Sequence, residues 1–328
     1  MKHEKTKTGK TAKPYRSGYS ATKKAESVAK LFHCPCDKIY ILGVGELHLD
    51  KLLPFRSSAP ISFPRGYSST TSYRFNILGA DIFVYQNYSG FQIQLNPSQF
   101  RCYRMMDSTL RAFLGIHYES AKIVKLHLFT DVKRSLSDVY RNISVSYKRR
   151  TMKYEPAKLK KTKGGKDEEI TFTLGLGADN TDCIKVYDSH SKHGLKSPST
   201  RIERQYSKAR FCPIKHLRDL PKLIDSNPFN NVKLVSLVDT TKLSGIHKLR
   251  FQLLDCKRQA LGLHKAIAEI RSYDSKHFNR DYRIVMNQLE KVKVNLLLSY
   301  RNKMRGFLNR RLTSDEVVTL KAIGGIYE

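Results

Sequence analysis

Three short segments place acids, imidazoles and phenols at spacings that could do chemistry. In Lys125-Leu-His-Leu-Phe-Thr-Asp-Val132, His127 and Asp131 stand four residues apart. In an extended strand an even separation points both side chains to one face. The second segment, Ile184-Lys-Val-Tyr-Asp-Ser-His-Ser-Lys-His-Gly194, holds Tyr187, Asp188, His190, Lys192 and His193. In the third, Thr200-Arg-Ile-Glu-Arg-Gln-Tyr206, Arg201 and Glu203 share the face opposite Ile202. A phenol can attack as a nucleophile, and imidazole with carboxylates can ligate a metal. The same residues also suit plainer roles. The chain has 18 Tyr, most of which must pack. Glu203 beside Arg201 and Arg204 suits a surface ion pair worth under about 1 kcal/mol, and a His within a strand is commonly a hydrogen-bonded core residue.

The elements that must position these segments read as a sheet with helices packed on it. From Tyr73 to Leu95 the chain reads as strands, with Phe91, Ile93 and Leu95 alternating with polar residues until Asn96-Pro97-Ser98 breaks the run. A helix follows, with Asp107 or Ser108 as N-cap and Leu110, Phe113 and Leu114 on one face. Ile123 to Val132 is a further strand. Ile170 to Leu176, Cys183 to Asp188 and Thr200 to Tyr206 form a second strand group. The fold class is α+β, a central antiparallel β-sheet with packed helices, followed by a helical C-terminal region.

Beyond about residue 215 the apolar period changes. Leu253, Cys256, Ala260, Leu263, Ile267 and Ile270 step by three and four, as do Val285, Leu289, Val292 and Leu296, so two amphipathic helices are expected. Thr313 with Glu316 makes a capping box for a last short helix. The expected organisation is a basic arm over 1–30, an α+β domain over 31–220 and a helical domain over 221–328.

Charge sets the class of partner. The chain carries 60 Lys and Arg against 29 Asp and Glu, a net charge of +31 in 328 residues. Such an excess repels itself unless a polyanion is the normal partner, and a phosphate backbone is the commonest one. The charge is concentrated. Nine Lys or Arg lie in the first 30 residues, and nine more lie from Lys148 to Lys166, a loop that offers Lys148, Arg149, Arg150, Lys160 and Lys161, with Arg201, as candidate DNA contacts. A solvated hairpin tip explains that loop equally well. No apolar run is long enough to span a bilayer and the basic N-terminus has no apolar stretch after it, so a cytoplasmic protein with no membrane partner is expected. Six scattered Cys fit a reducing compartment, and the tight His33, Cys34, Cys36 group reads as structural.

The three segments resemble the replication initiation factor family of rolling-circle plasmids and filamentous phages. That family has a strand of the form T-R-I-D-L-A-x-D, a later strand ending in Y-D-K, and then a strand with an R-[IVF]-E core. Here the counterparts are K-L-H-L-F-T-D, V-Y-D-S-H-S-K and T-R-I-E-R, and the strand closing in N-P-S before a helix also looks like the family. The likeness covers roughly residues 70 to 220. It implies a metal-dependent, site-specific DNA endonuclease of a bacterial host cytoplasm. Such an enzyme nicks origin DNA through a tyrosine, keeps the 5′ phosphate on the protein and frees a 3′ hydroxyl. Carried over, Tyr187 is the nucleophile, and Asp131 and Glu203 ligate Mg²⁺ or Mn²⁺. His127 stands where the family has Asp and could ligate through a ring nitrogen. Lys192 replaces the Lys that normally follows Tyr-Asp directly. The implied partners are single- or double-stranded origin DNA and host helicase or polymerase, with a homodimer left open. The rival reading is a non-catalytic, basic DNA-binding replication or regulatory protein.

Overall fold

In the computed structural model of the protein, described for residues 34–65, 68–145, 171–175, 182–190, 197–236, 240–273, 275–291 and 293–324, both strand groups join one sheet. The strands are β1 (Cys36–Val44), β2 (Ile61–Arg65), β3 (Ser68–Ile77), β4 (Ala80–Asn87), β5 (Gly90–Leu95), β6 (Lys122–Val132), β7 (Ile143–Val145), β8 (Thr171–Gly175), β9 (Asp182–Asp188), β10 (Thr200–Tyr206) and β11 (Val232–Leu234). Nine of them form the sheet in the order β2-β3-β4-β5-β1-β6-β10-β9-β8, and β7 pairs with β11 apart from it. Every neighbouring pair in the sheet is antiparallel.

Period-two alternation builds the first half of the sheet. Phe91, Ile93 and Leu95 of β5 are buried in the core, as are Ile82 and Val84 of β4 and Ile39 and Ile41 of β1. Their strand neighbours therefore point to the opposite face. The β4–β5 turn is tied by Asn87, whose Oδ1 accepts from the N–H groups of Ser89 and Gly90 at 3.0 and 2.9 Å. Only glycine fits at position 90, because a Cβ there would lie 2.4 Å from the Gly43 carbonyl oxygen.

The helices are α1 (Tyr103–Leu114), α2 (Leu136–Asn142), α3 (Gly245–Leu261), α4 (Leu263–Tyr273), α5 (Phe278–Asp281), α6 (Arg283–Lys291), α7 (Leu296–Asn309) and α8 (Ser314–Ala322). α1 packs Phe113 edge-on to Phe75 at 5.1 Å between ring centroids. It begins before the expected Asp107 or Ser108 cap, because Met105 and Met106 are themselves buried and extend the helix. Asp107 instead accepts hydrogen bonds from Arg111 Nε at 2.8 Å and from the hydroxyls of Tyr103 and Tyr118. The capping box of α8 forms as expected, with Thr313 and Glu316 each bonding the other's backbone N–H.

The C-terminal helices depart from the expected single domain. Leu296, Tyr300, Met304 and Phe307 of α7, with Leu320 of α8, belong to the same core as the sheet. α3, α4, α5 and α6 close a second, smaller core around Leu254, Leu263, Ala266, Phe278, Val285 and Leu289. A boundary at 220/221 would cut a 3-10 segment, Leu217–Ile224, whose Leu217, Leu220 and Leu223 are all in the main core. Amphipathic spacing reveals that a helix buries one face but not what it is buried against.

The helix read through Leu253, Cys256, Ala260 and Leu263 is likewise two helices. Gly262 breaks it with φ +79, and a Cβ there would meet the Tyr140 carbonyl oxygen at 2.9 Å. The break resets the phase, so Leu254 faces the core while Leu253, Cys256 and Ala260 are exposed. α6 stops at Lys291, and Leu296 opens α7.

Candidate functional site

The three segments become the adjacent strands β6, β10 and β9, and their register brings the chemistry together. Arg201 pairs with Asp131 on one side and Tyr187 on the other. Glu203 lies between Phe129 and Lys185, and Gln205 between His127 and Cys183. Alternation puts all nine on the face opposite the main core. The even spacings read from the sequence hold in each strand.

Two linked groups result. In the first, Glu203 is 3% exposed, and its Oε1 faces His127 Nδ1 at 2.9 Å while accepting from Gln205 Nε2 at 2.7 Å. Burial alone would raise the Glu203 pKa. The hydrogen bond and charge of His127, then Gln205 and Lys185, outweigh it and hold the carboxyl below its ordinary value.

The second group centres on Asp131. Arg201, 1% exposed, donates Nε to Asp131 Oδ1 at 2.8 Å and Nη2 to Oδ2 at 3.4 Å, and its Nη1 lies 3.8 Å from Asp37. Its guanidinium sits 3.6 Å from the Phe129 ring centroid. β1 stops at Cys36, opposite Leu128. Beyond that point α7 runs beside β6, where Ser299 Oγ donates to the Asp131 backbone carbonyl at 3.5 Å and Lys303 Nζ bonds the Asp131 carboxylate. Burial pushes the Asp131 pKa up, and the two cations more than reverse it. For Lys303 burial wins over the pull of Asp131, and its pKa falls below the usual lysine value.

Tyr187 is 1% exposed and shares a hydrogen bond with Arg201, while Lys185 Nζ lies 5.3 Å from its ring centroid. Burial raises its pKa well above a free phenol, and the Arg201 charge pulls the other way. Arg201 is therefore the group that would stabilise a phenolate here. At the end of β9, Asp188 Oδ1 accepts from His190 N–H at 2.8 Å and Ser189 Oγ donates to the Ser199 carbonyl at 2.9 Å, fixing the junction with β10.

Of the expected site residues, Tyr187, Arg201, Asp131, Glu203 and His127 come together. The division of roles is different from the expectation. Asp131 does not join His127 and Glu203 as a ligand set, because two cations occupy its carboxylate. Among the described residues no three His, Cys, Asp or Glu form a metal-holding group. His127 and Glu203 remain as a pair that could hold one cation together with a bound phosphate, the low protein-ligand count that Mg²⁺ accepts. Arg201, expected on DNA, is a buried organiser of Asp131 and Tyr187. Lys192, Lys148, Arg149, Arg150, Lys160 and Lys161, like the 1–30 arm, lie outside the described residues.

Sequence reasoning missed Asp37, Phe129, Lys185, Gln205 and Lys303. Strand parity was enough to find Phe129, Lys185 and Gln205. Nothing local marks Lys303, 172 residues from Asp131. Cys34 and Cys36 are buried in the main core, and burial raises both thiol pKa values. No helix among the described residues is long and apolar enough to cross a membrane. Comparison with protein-family models, with curated proteins and with solved structures finds no match for this chain.

Proposed function

We propose that this protein is a DNA-nicking replication initiator that uses Tyr187 as its nucleophile. The observation that carries this reading is the row Asp131, Arg201, Tyr187 across β6, β10 and β9, with the His127–Glu203 pair on the same face. A phenol held against a guanidinium, on a sheet that also offers a carboxylate and an imidazole, is what attack on a phosphodiester requires. The motif likeness to replication initiation factors and the net charge of +31 support the same reading.

In the proposed reaction the Tyr187 oxygen bonds to phosphorus as the bond to the 3′ oxygen breaks. The phenol gives up its proton as the new bond forms, and the departing 3′ oxygen takes one up. The 5′ phosphate stays on Tyr187, which conserves the bond for rejoining. Arg201 stabilises the phenolate and Asp131 fixes the plane of Arg201. Mg²⁺ or Mn²⁺ held by Glu203 and His127 would polarise the scissile phosphate.

The test combines purified protein, a divalent cation and supercoiled DNA carrying the chain's own origin. Nicked circles and a covalent protein–DNA adduct are expected, and both disappear in Tyr187→Phe. The near-complete burial of Tyr187 favours a second reading, in which the cluster is an internal ion network of a DNA-binding protein without cleavage. Unaltered binding in the presence of chelator, with no nick on any strand form, establishes that reading instead.

A further inference from the structure

The face that carries the site continues, without a change of side, across β1, β5, β4 and β3. There it is open. Register defines one row running Lys125, Tyr40, Gln94, Phe83, Arg74 over five strands, and a second running Lys122, Leu42, Gln92, Tyr85, Ser72. Tyr40 lies between two cations, with Lys38 Nζ 5.7 Å and Lys125 Nζ 4.8 Å from its ring centroid. The Arg74 guanidinium sits 5.4 Å from the Phe83 centroid. The second row lines an open groove of about 700 Å³ with Leu42, Tyr85, Gln92 and Lys122. Arg74 also pairs with Asp81 at 3.0 Å, the acid that Asn76 contacts beside it.

A protein of ordinary charge would show alternating polar residues on a solvated sheet face. This face instead interleaves aromatic rings with Lys and Arg and places Gln between them. Rings offer stacking to any base, cations offer neutralisation of phosphates, and amides offer donors and acceptors to base edges. Duplex DNA hides its base faces, so rings on a sheet face gain little from it. Resting on the DNA reading above, we infer that the β1–β5–β4–β3 face binds single-stranded DNA by stacking bases on Tyr40, Phe83 and Tyr85, and leads that strand toward Tyr187. Lys38 and His127 are direct cross-strand neighbours, so the track joins the site without a gap. Strand spacings place Tyr40 about 25 Å from Tyr187, a few nucleotides of extended strand.

The experiment measures fluorescence anisotropy of a labelled oligothymidylate, and of a duplex of equal length, on the full-length protein. Tyr40→Ala, Phe83→Ala and Tyr85→Ala should each weaken oligothymidylate binding about tenfold, within the range for one lost base stack, with little change for duplex. The salt dependence should not change, because no cation is removed. Lys125→Gln should lower the slope of log affinity against log salt by about 0.7. Tyr40→Phe keeps the ring and should bind like the parent, and matching circular dichroism verifies that the variants fold. Unaltered oligothymidylate affinity in the folded ring variants, or equal losses on duplex, overturns the inference. Tyr187→Phe should bind the oligonucleotide normally. Absence of nicking alongside ring-dependent binding would therefore refute the cleavage reading and leave this one standing.

Discussion

Asp131→Asn is the sharpest perturbation of the site, because it removes the one charge shared by buried Arg201 and half-buried Lys303. At 2.8 Å and an effective dielectric near 20, the Asp131–Arg201 attraction is about 6 kcal/mol before desolvation. Removing the carboxylate charge strips Arg201, 1% exposed, of the acid nearest its guanidinium, Asp37 lying farther off at 3.8 Å. Breaking a buried pair from one side typically costs about 3–5 kcal/mol, and that is the expected loss. Lys303 is more exposed, so Lys303→Met should cost only about 1 kcal/mol. The double variant should cost less than the sum, with a coupling of about 1–2 kcal/mol, because Lys303 loses its reason to be buried once Asp131 is neutral. Urea unfolding followed by far-ultraviolet circular dichroism measures all three midpoints. A loss under about 1 kcal/mol for Asp131→Asn, or strict additivity with Lys303→Met, would refute the argument that this network is an interlocked buried ion group.

Three further outcomes follow from the same structure. Burial holds the His264 pKa down at about 4, and its Nδ1 accepts the Val145 N–H at 3.1 Å. The folded state therefore resists a proton that the unfolded chain takes up near 6.5, so this contribution is full above that pH and is lost toward pH 4, by about 3 kcal/mol in all. His264→Gln should flatten the stability profile over that window. Asp131 and Glu203, both with depressed pKa values, add stability that disappears only below the ordinary carboxylate range, so a second acid transition should weaken in Glu203→Gln. Of the six free cysteines only Cys256 is exposed, so a thiol reagent should modify one group quickly in the native protein and the remaining five only on unfolding.

Local pattern was sufficient for much of the fold. The strands β4, β5, β6, β9 and β10 were legible as short alternating or largely apolar runs, and strand parity put His127 with Asp131 and Arg201 with Glu203. The α8 capping box was legible because its partners are three residues apart. The net charge of +31 needed no structure at all, and it is what points to a polyanionic partner. Tertiary structure decided what a one-dimensional pattern cannot contain. It chose which face α3 buries, gave α7 to the sheet rather than to a separate helical domain, and sent Lys303 to Asp131. It also set Asp131, read as a metal ligand, against Arg201 and Lys303. Burial and pairing depend on which distant segments meet across the sheet, and a carboxylate of identical local sequence binds whichever positive charge the fold brings within reach.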